Sequence, residues 1–380
     1  MRLPRVVIGM SGGVDSSVSA FLLKKKGFDV VGLHMINWDA QEEGTSQCPR
    51  SKDESDARNV CSRLQIPFHT VNFVKEYWND VFLKFLDNYR AGRTIVPDID
   101  CNRAIKFEVF HKLAKEKFDA DFIATGHYAT TSFGDFQENQ RDSEEIRLFS
   151  GRDPLKDQTF FLCTVTQQQL KRSMFPLGSL MKTDVKRIAE QQGFHSIASK
   201  PESMGICFVG KKKRFAEFLD EYIEPKPGKI RDEKTGKIIG EHQGIHHFTI
   251  GKRIDGHYLT TRSHLGYFVV DIDAESGDLI ACEGSHHPSL YATQFLIKTP
   301  NWIPLSDPLE TLPPSQILCR IQRTHPPVPC IVENSKTPGF LSISPRIPLR
   351  ATAPGQMCVF YTTQNECLGG GEIVKIQKTL

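Results

Sequence analysis

The segment that most constrains this chain is SGGVDSS at residues 11–17, which directly follows an apolar run at residues 6–10. The β-branched residues of that run predict a strand, and apolar residues at helical spacing from 14 to 22 predict a helix that ends at Gly27. Gly12 and Gly13 allow backbone N–H groups to converge on an anion at the helix N-terminus. Together with the serine hydroxyls, this pattern predicts a phosphate-binding turn between a strand and a helix.

The turn lacks the lysine of a Walker-type loop, and this limits the reactions that it could support. No Gly-Lys-Ser or Gly-Lys-Thr follows the glycines, so the lysine that a Walker-type loop places on the β- and γ-phosphates is absent. Transfer of the γ-phosphoryl group is therefore not the favoured chemistry. The alternative interpretation is a serine and glycine turn that Asp15 caps and that binds no ligand.

The composition is that of an ordinary soluble globular protein, with 39% hydrophobic and 24% charged residues. A chain of 380 residues is long for one core and predicts roughly two or three domains. No apolar run approaches the roughly 20 residues that span a bilayer, so no membrane partner is expected. With a net charge of only +3, a nucleic-acid surface would have to be local. The lysine-rich runs at residues 24–26 and 211–214 are candidates, although such runs are more often solvated helix ends.

The ten cysteines include no CxxC pair. Structural zinc sites and iron-sulfur clusters draw on closely spaced ligands, so neither is expected, and no metal site is predicted. In an intracellular chain, such cysteines indicate thiols rather than a disulfide framework. Only Cys101 and Cys207 have a sequence context that suggests chemistry, and the other eight are interpreted as packing residues.

Alternating strands and helices fill the first half of the chain. Strands are predicted at residues 6–10, 30–35, 68–72 and 121–125, and helices at residues 14–26, 56–64, 78–91 and 104–118. This alternation predicts an α/β fold with a doubly wound parallel sheet in a catalytic domain at residues 1–210. Ligands of such sheets bind beyond the carboxyl ends of the strands, so the loops after Met10, Met35 and Thr125 are expected to share one crevice.

The texture of the sequence changes further along. Residues 131–147 are polar and aperiodic and are predicted to be a mobile surface excursion, and helical patterns resume at 166–174 and 183–192. Glycines then punctuate short β-like runs, which predict a small β-rich central domain at residues 211–284. Residues 285–380 contain several strand patterns and are predicted to form a compact sandwich or barrel.

Cys101 lies in the segment VPDIDCN, just before a helix expected to start near Arg103. A helix N-terminus and a neighbouring arginine both favour a thiolate, which is the reactive form of a nucleophilic cysteine. Asp98 could serve as a nearby proton acceptor or donor. The alternative is a capping loop in which Asp100 or Asn102 is the cap and Cys101 has no chemical role.

Cys207 lies in the segment ESMGICFVG, bracketed by Gly205 and Gly210 and followed by the basic run at 211–214. The basic run adds positive potential, which favours a thiolate. On spacing alone, a buried structural cysteine between Ile206 and Phe208 is the better interpretation.

Several motifs together resemble one family. The turn SGGVDSS is similar to the SGGxDS loop of the N-type ATP pyrophosphatases, a HUP-like fold that cleaves ATP to AMP and pyrophosphate. SGGVDSS, PDIDCN, ATGHYA, KDQTFFL, ESMGICFVG, HHFTIGKR and APGQMCVFY occur in the order found in the tRNA-specific 2-thiouridylases. The resemblance covers nearly the whole chain. It implies a β-rich central domain and a C-terminal β-barrel domain that both bind tRNA.

The resemblance implies that the enzyme uses ATP and Mg²⁺ to adenylate the 2-carbonyl oxygen of the wobble uridine and then exchanges that oxygen for sulfur. Magnesium is expected to have no dedicated protein cage. The implied ATP-binding residues are Gly9, Met10, Ser11, Gly12, Gly13, Val14, Asp15, Ser16, Met35 and Gly126. The alternative from another class is an ATP-dependent adenylating synthetase that forms an amide or guanidine and needs neither Cys101 nor Cys207.

By the same resemblance, Cys207 carries a persulfide, Cys101 is the other catalytic cysteine and Asp98 shuttles a proton. The reaction would leave a disulfide between Cys101 and Cys207, which requires Cα atoms about 4.4 to 6.8 Å apart. The implied tRNA contacts are Val96, Pro97, Asp98, His127, Lys156, Asp157, Gln158, Arg320 and Gln356. Family members usually have asparagine where this chain has Val96. Without the resemblance, Lys156 and Asp157 would be interpreted as a surface ion pair.

The expected partners are the tRNAs that accept Lys, Glu and Gln, and a sulfur-donor protein such as a cysteine desulfurase or a relay protein. The segments VKEYWNDVF and KDQTFF are closer to the mitochondrial branch of the family than to its bacterial members. A mitochondrial location is therefore expected, with the bacterial cytoplasm as the alternative.

Overall fold

The computed structural model describes residues 3–38, 49–140, 145–201 and 215–380. Cys207 and the basic run at 211–214 lie outside these residues. The described part of the chain contains three β-sheets, and the third, which is mostly C-terminal, also includes two short strands from the first half.

The first sheet contains five strands, all of them parallel. In spatial order they are Phe68–Asn72 (β3), Asp29–Ile36 (β2), Arg5–Gly9 (β1), Phe122–Ala124 (β4) and the short edge strand Ser173–Met174. Val7 packs into one hydrophobic cluster, whereas Val6 and Ile8 pack into another. Because side chains alternate across a strand, both faces of the sheet are covered, as the prediction of a doubly wound sheet requires.

Helices cover the two faces of this sheet. The helices on the side of the SGGVDSS turn are Val14–Lys26 (α1), Pro49–Arg63 (α2), Lys182–Gln191 and His195–Ala198. Gly27 ends α1 in the left-handed conformation, with φ of 90°.

Two long helices on the other side each contain a π-helical stretch. The first consists of Val74–Tyr77, Trp78–Phe82 and Leu83–Arg90, and the second of Pro97–Asp100, Cys101–Val109 and Phe110–Phe118, with the π-helical stretch in the middle each time. Phe82, Phe107 and Phe110 are fully buried in the cluster on this face.

Two predictions for the first half of the chain are wrong. The predicted helix at 166–174 is limited to Gln167–Leu170, which a capping box formed by Thr166 and Gln169 begins, and Ser173–Met174 is instead the edge strand. Two residues are too few to produce a recognisable strand pattern. Fragments this short take their structure from tertiary pairing.

The predicted surface excursion at 131–147 is also wrong for its described part. Phe133 is 1% exposed, and the buried side chain of Gln137 donates to the Ser173 carbonyl oxygen. Asp135 is buried as well and accepts a hydrogen bond from the Ser179 amide at 3.0 Å. Hydrogen bonds to the backbone offset the burial of the Gln137 amide nitrogen and of Asp135 Oδ2, which composition alone does not reveal.

The second sheet belongs to the small β-rich region. Its four strands, in spatial order, are Tyr267–Asp273, Asp278–Glu283, Gly228–Asp232 and Ile238–His242. Two short 3-10 turns, Ile245–His247 and Gly256–Tyr258, flank it. His246 and His247 each contact Asp220 Oδ1 through Nε2, at 2.8 and 2.7 Å. These contacts attach the helix Phe215–Asp220 to the sheet.

The C-terminal region is a closed barrel. Its strands are Tyr291–Lys298, Phe340–Pro345, Val328–Asn334, Ile317–Arg320, Met357–Thr362 and Glu366–Thr379, and the last of them pairs with the first. Short pieces complete it: Pro288–Leu290, Asn301–Trp302, Pro308–Thr311, Pro314–Gln316 and Leu349–Arg350. Of the two predicted alternatives, sandwich or barrel, the barrel is correct.

The barrel is joined directly to the first domain. Ala129–Thr131 and Leu148–Ser150 form a hairpin, and Leu148 and Phe149 pair with the start of the barrel strand Glu366–Thr379. The 3-10 turn Thr159–Leu162 lies next to this junction. Among the described helices, none is long and apolar enough to cross a membrane.

Candidate active site

The turn predicted to bind phosphate lies between β1 and α1. Gly12 has φ of +75°, and a Cβ at this position would collide with the Asp53 carbonyl oxygen. Only glycine combines this backbone conformation with this close approach. Gly13 is the N-cap of α1 and supplies no side-chain cap. The first N–H groups of the helix are therefore left for an anion, as expected for a phosphate-binding turn.

The serine hydroxyls hold the turn together. Ser16 Oγ donates to the Gly13 carbonyl oxygen at 3.1 Å and accepts from the Ser11 amide at 3.2 Å. Ser17 Oγ donates to the same Gly13 oxygen at 2.9 Å. Ser11, which is exposed, is the hydroxyl most accessible to a ligand.

Asp15 has two partners that the sequence prediction missed. Lys182 Nζ lies 2.7 and 2.8 Å from the two carboxylate oxygens of Asp15, and the Tyr128 hydroxyl donates to Asp15 Oδ1 at 2.8 Å. The side chain of Lys182 is only 11% exposed. One feature of the sequence points to this contact. Lys182 is the first residue of its helix, where a positive charge is unfavourable because of the helix dipole, so an acidic partner is expected.

The predicted ATP-binding residues converge on one crevice at the carboxyl ends of β1, β2 and β4. A Cβ on Gly9 would lie 3.2 Å from Met35 Cε, and one on Gly126 would lie 3.0 Å from the Ser16 amide nitrogen. The Met10 carbonyl oxygen lies 2.8 Å from Nδ1 of His34. Close approach of the α1 backbone explains why glycine occupies position 126, whereas at position 9 a side chain would press against that of Met35.

Cys101 is placed differently from the prediction. The helix begins at Pro97, with Val96 as its N-cap, instead of near Arg103. Proline is favoured at the first helical position because its fixed φ suits the helix and its missing N–H is not needed. Cys101 therefore lies inside the helix, at the start of the π-helical stretch, and is 6% exposed.

Basic side chains lie near both acidic residues beside Cys101. Buried Asp100 contacts Lys84 Nζ at 2.6 Å and Arg103 at 3.9 Å, so Arg103 shares its charge with Asp100. Burial raises the pKa of Asp98, although the positive charge of Lys106 opposes this. A carboxyl group with a raised pKa suits transfer of protons near neutral pH.

Hydrogen bonds connect the Cys101 helix to the phosphate turn. Asn102 Nδ2 donates to the Phe161 carbonyl oxygen at 2.9 Å. In the same segment, Gln158 Oε1 accepts from the Tyr128 amide at 3.1 Å, and the Tyr128 hydroxyl binds Asp15. Four motifs that are far apart in the sequence, SGGVDSS, PDIDCN, ATGHYA and KDQTFFL, thus meet in one site.

The residues predicted to contact tRNA differ in how deeply they are buried. Asp157 and Arg320 are both buried and form an ion pair at 3.0 Å between the first domain and the barrel. His127 is 7% exposed. Burial, together with the charge of Lys106, holds the pKa of His127 well below its usual value. Lys156 and Gln158 are partly exposed.

Gln356 and Val96 lie on two chain segments that touch. The Thr94 amide donates to the Pro354 carbonyl oxygen at 2.9 Å. Gly355 has φ of +91°, and a Cβ there would lie 2.8 Å from the Thr94 carbonyl oxygen. The late motif APGQMCVFY is therefore packed against the start of the Cys101 helix.

The cysteines predicted to be packing residues are buried wherever they are described: Cys61, Cys163, Cys282, Cys319, Cys330, Cys358 and Cys367. Cys48 lies outside the described residues. Burial raises the pKa of Cys61 and of Cys367 to about 12, so these thiols stay protonated and unreactive at neutral pH. Because Cys207 is not described, its distance from Cys101 stays a prediction.

Family models match three successive parts of the chain. Residues 4–211 match a model described as the tRNA methyl transferase HUP domain, and residues 216–283 match its PRC-barrel domain. Residues 292–373 match an aminomethyltransferase β-barrel domain.

Full-length relatives specify the family further. The chain is 75% identical over 378 residues to the probable mitochondrial tRNA-specific 2-thiouridylase 1 of Caenorhabditis elegans, with 100% of both chains covered. It is 42% identical to the mitochondrial enzyme of the same name from Drosophila melanogaster, over 97% of this chain and 93% of the relative. The tRNA-specific 2-thiouridylase MnmA of Idiomarina loihiensis is 40% identical over 97% of this chain and 95% of the relative. The chain therefore belongs to the family of tRNA-specific 2-thiouridylases.

Proposed function

We propose that this protein is an ATP-dependent tRNA-uridine 2-sulfurtransferase, which replaces the 2-oxygen of the wobble uridine with sulfur and releases AMP and pyrophosphate. The observation that carries the proposal is the convergence of a phosphate-binding turn and a helix-borne cysteine through Tyr128 and the segment KDQTFFL. The names of the full-length relatives support the same reaction.

The phosphate-binding turn serves the first half of the reaction. A urea-like carbonyl is a poor electrophile, and its oxygen is a poor leaving group. When the uridine 2-oxygen attacks the α-phosphorus of ATP, pyrophosphate leaves and the oxygen becomes part of an AMP ester. ATP lies along Gly9 to Ser16, with Met35 and Gly126 lining the same crevice, and the open start of α1 binds the phosphates.

Magnesium accompanies ATP in this proposal. Asp15 is the acidic side chain of the turn, and Lys182 already neutralises it. The residues therefore fit an ion that takes most of its ligands from phosphate oxygens and water, as Mg²⁺ usually does.

Cys207 and Cys101 serve the second half. A persulfide on Cys207 attacks C2 of the adenylated uridine through its terminal sulfur, and AMP leaves with the former 2-oxygen. The Cys101 thiolate then attacks Cys207 Sγ and breaks the S–S bond, which releases the thiolated base and leaves a Cys101–Cys207 disulfide. A reductant and a sulfur-donor protein restore the starting state. The raised pKa of Asp98 suits it to exchange protons with these groups.

The tRNA is held by its backbone and by its flipped base, since an enzyme that modifies a base takes it out of the stack. Val96, Pro97 and Asp98 begin the Cys101 helix and contact the target base. His127, Lys156, Gln158 and Gln356 surround it on neighbouring segments. Asp157 and Arg320 support this surface from beneath through their buried ion pair. The substrates are the tRNAs for Lys, Glu and Gln, and the location is the mitochondrion, as the names of two relatives state for those proteins.

The decisive experiment is mass spectrometry of nucleosides from unmodified tRNA after incubation with the protein, ATP, Mg²⁺ and a persulfide donor. We expect one sulfur-for-oxygen exchange at the wobble uridine and one AMP for each thiolated base. ATP cleavage that is independent of tRNA and needs an amine acceptor would overturn the proposal in favour of an amide- or guanidine-forming synthetase.

A further inference from the structure

Lys200 lies against the back of the phosphate turn. Its Nζ contacts the Gly12 carbonyl oxygen at 3.0 Å and Asp53 Oδ1 at 2.9 Å, and it also pairs with Asp56 Oδ2. The lysine side chain is 20% exposed. Burial lowers the pKa of Lys200, but the hydrogen bonds to Asp56 and Asp53 outweigh this and hold it above the usual value. Lys200 is therefore a fixed cation at neutral pH.

The contact with Gly12 determines the direction of a neighbouring N–H group. A trans peptide is planar, so the Gly12 carbonyl and the Gly13 N–H point in opposite directions. Lys200 binds the carbonyl on the buried side. On the other side, the Gly13 N–H faces the exposed Ser11 hydroxyl, at 3.4 Å, where a phosphate would bind.

The peptide between Gly12 and Gly13 can rotate out of this orientation easily, because both residues are glycine. Gly12 and Gly13 have no Cβ, so rotation of the peptide between them meets little steric resistance. A rotated peptide would turn a carbonyl oxygen toward the phosphate and repel it. An ionic hydrogen bond to the carbonyl is a direct way to prevent that rotation.

We propose that Lys200 is a positioning residue that holds the Gly12–Gly13 peptide with its N–H toward the pyrophosphate part of ATP. Asp53 and Asp56 fix the ammonium group in turn, and they also attach α2 to the turn. This inference rests on the proposed use of ATP. It adds a residue of this chain that acts on the phosphates through the backbone and has no direct contact with them.

The test compares binding of ATP and AMP to the full-length protein by titration calorimetry. Lys200→Met is expected to weaken ATP binding about tenfold, the order of an ionic hydrogen bond, and to leave AMP binding nearly unchanged, because AMP lacks the pyrophosphate part. Lys200→Arg should recover most of the affinity for ATP. Lys117→Met, at the far end of the Cys101 helix, is the matched surface control.

Equal weakening of ATP and AMP, or no weakening of either, would overturn the inference. A second comparison separates peptide orientation from simple charge. Lys200→Met/Asp53→Asn/Asp56→Asn should bind ATP as weakly as Lys200→Met, because neither variant has a cation on the Gly12 carbonyl oxygen, whereas recovery of ATP affinity in the triple variant would show that Lys200 only neutralises the two carboxylates. Failure of the wild-type protein to bind ATP would instead contradict the proposed function.

Discussion

The Tyr128 hydroxyl donates a 2.8 Å hydrogen bond to Asp15 Oδ1, although the two residues are 113 positions apart in the chain. Tyr128 follows β4, whereas Asp15 lies in the first turn of α1. The bond therefore connects two of the strand ends that line the crevice, and it shares the carboxylate with Lys182. Removing the hydroxyl should loosen the crevice without unfolding it.

Tyr128→Phe is accordingly expected to raise the KM for ATP by roughly two- to tenfold, the range of one net hydrogen bond, because Lys182 still holds the Asp15 carboxylate. The KM for tRNA should change little. Steady-state kinetics with either substrate varied measure both values, and Tyr291→Phe in the barrel is the control. An unchanged KM for ATP would mean that the hydroxyl does not position Asp15.

Cys101→Ser should abolish thiolation, with a loss of about 10³-fold or more, because a hydroxyl cannot resolve a persulfide. Cys61→Ala should retain thiolation, since burial raises the pKa of Cys61 to about 12 and the thiol only packs. Both variants should retain the affinity for ATP. Thiolated nucleoside, measured by mass spectrometry, separates the two cases, and full activity of Cys101→Ser would refute the proposed sulfur chemistry.

Asp98 should control the acidic side of the pH profile. Burial raises its pKa, so the carboxyl loses its proton at a higher pH than an ordinary aspartate. If the ionised form accepts the proton, activity falls as the pH drops through this raised value. Asp98→Asn should lower kcat by roughly 10²- to 10⁴-fold and remove this limb of the profile. Asp87→Asn, at an exposed position, should leave the profile intact.

The ion pair between Asp157 and Arg320 should be important for stability because both groups are buried. Removing one partner leaves an unpaired buried charge, so Asp157→Ala or Arg320→Met is expected to cost about 3 to 5 kcal/mol. The double variant should cost less than the sum of the two, as interacting residues do. Shifts of the thermal unfolding midpoint test this prediction. Glu54→Ala, which breaks the partly exposed pair with Arg58, should cost less than about 1 kcal/mol. Strictly additive losses of stability in the Asp157→Ala/Arg320→Met double variant would contradict the predicted coupling of the buried pair.

The sequence predicts well where local pattern and tertiary structure agree. β1, the turn and α1 are predicted because an apolar β-branched run, two glycines and a helical period follow one another. The same holds for the order of strands and helices up to β4. The sequence motifs also predict the family, and the full-length relatives confirm that prediction.

The sequence-based predictions are wrong where contacts between distant residues determine the local structure. Ser173–Met174 is a strand only because β4 pairs with it, and Phe133 is buried in a segment whose composition is polar. The sequence does not predict the roles of Lys182 and Lys200, because a single lysine has no local pattern and their partners lie more than a hundred residues away. The helical pattern predicts a start near Arg103, whereas Pro97 is the first helical residue.

The π-helical stretch Cys101–Val109 has a consequence for how the site tolerates change in length. Its hydrogen bonds span five residues where an α-helix spans four, so the stretch accommodates more residues per turn. Deleting one residue within it would return the segment toward α-helical spacing. Each residue of an α-helix turns by about 100° around the axis, and each residue of the wider stretch turns by less. Tightening to α-helical spacing therefore offsets much of the rotation that the deletion removes, and Pro97 keeps close to its present side of the helix while Phe110–Phe118 stays in the core. A single deletion in this stretch is therefore a milder perturbation than one in a regular α-helix such as Val14–Lys26, where no wide turn compensates for the lost residue.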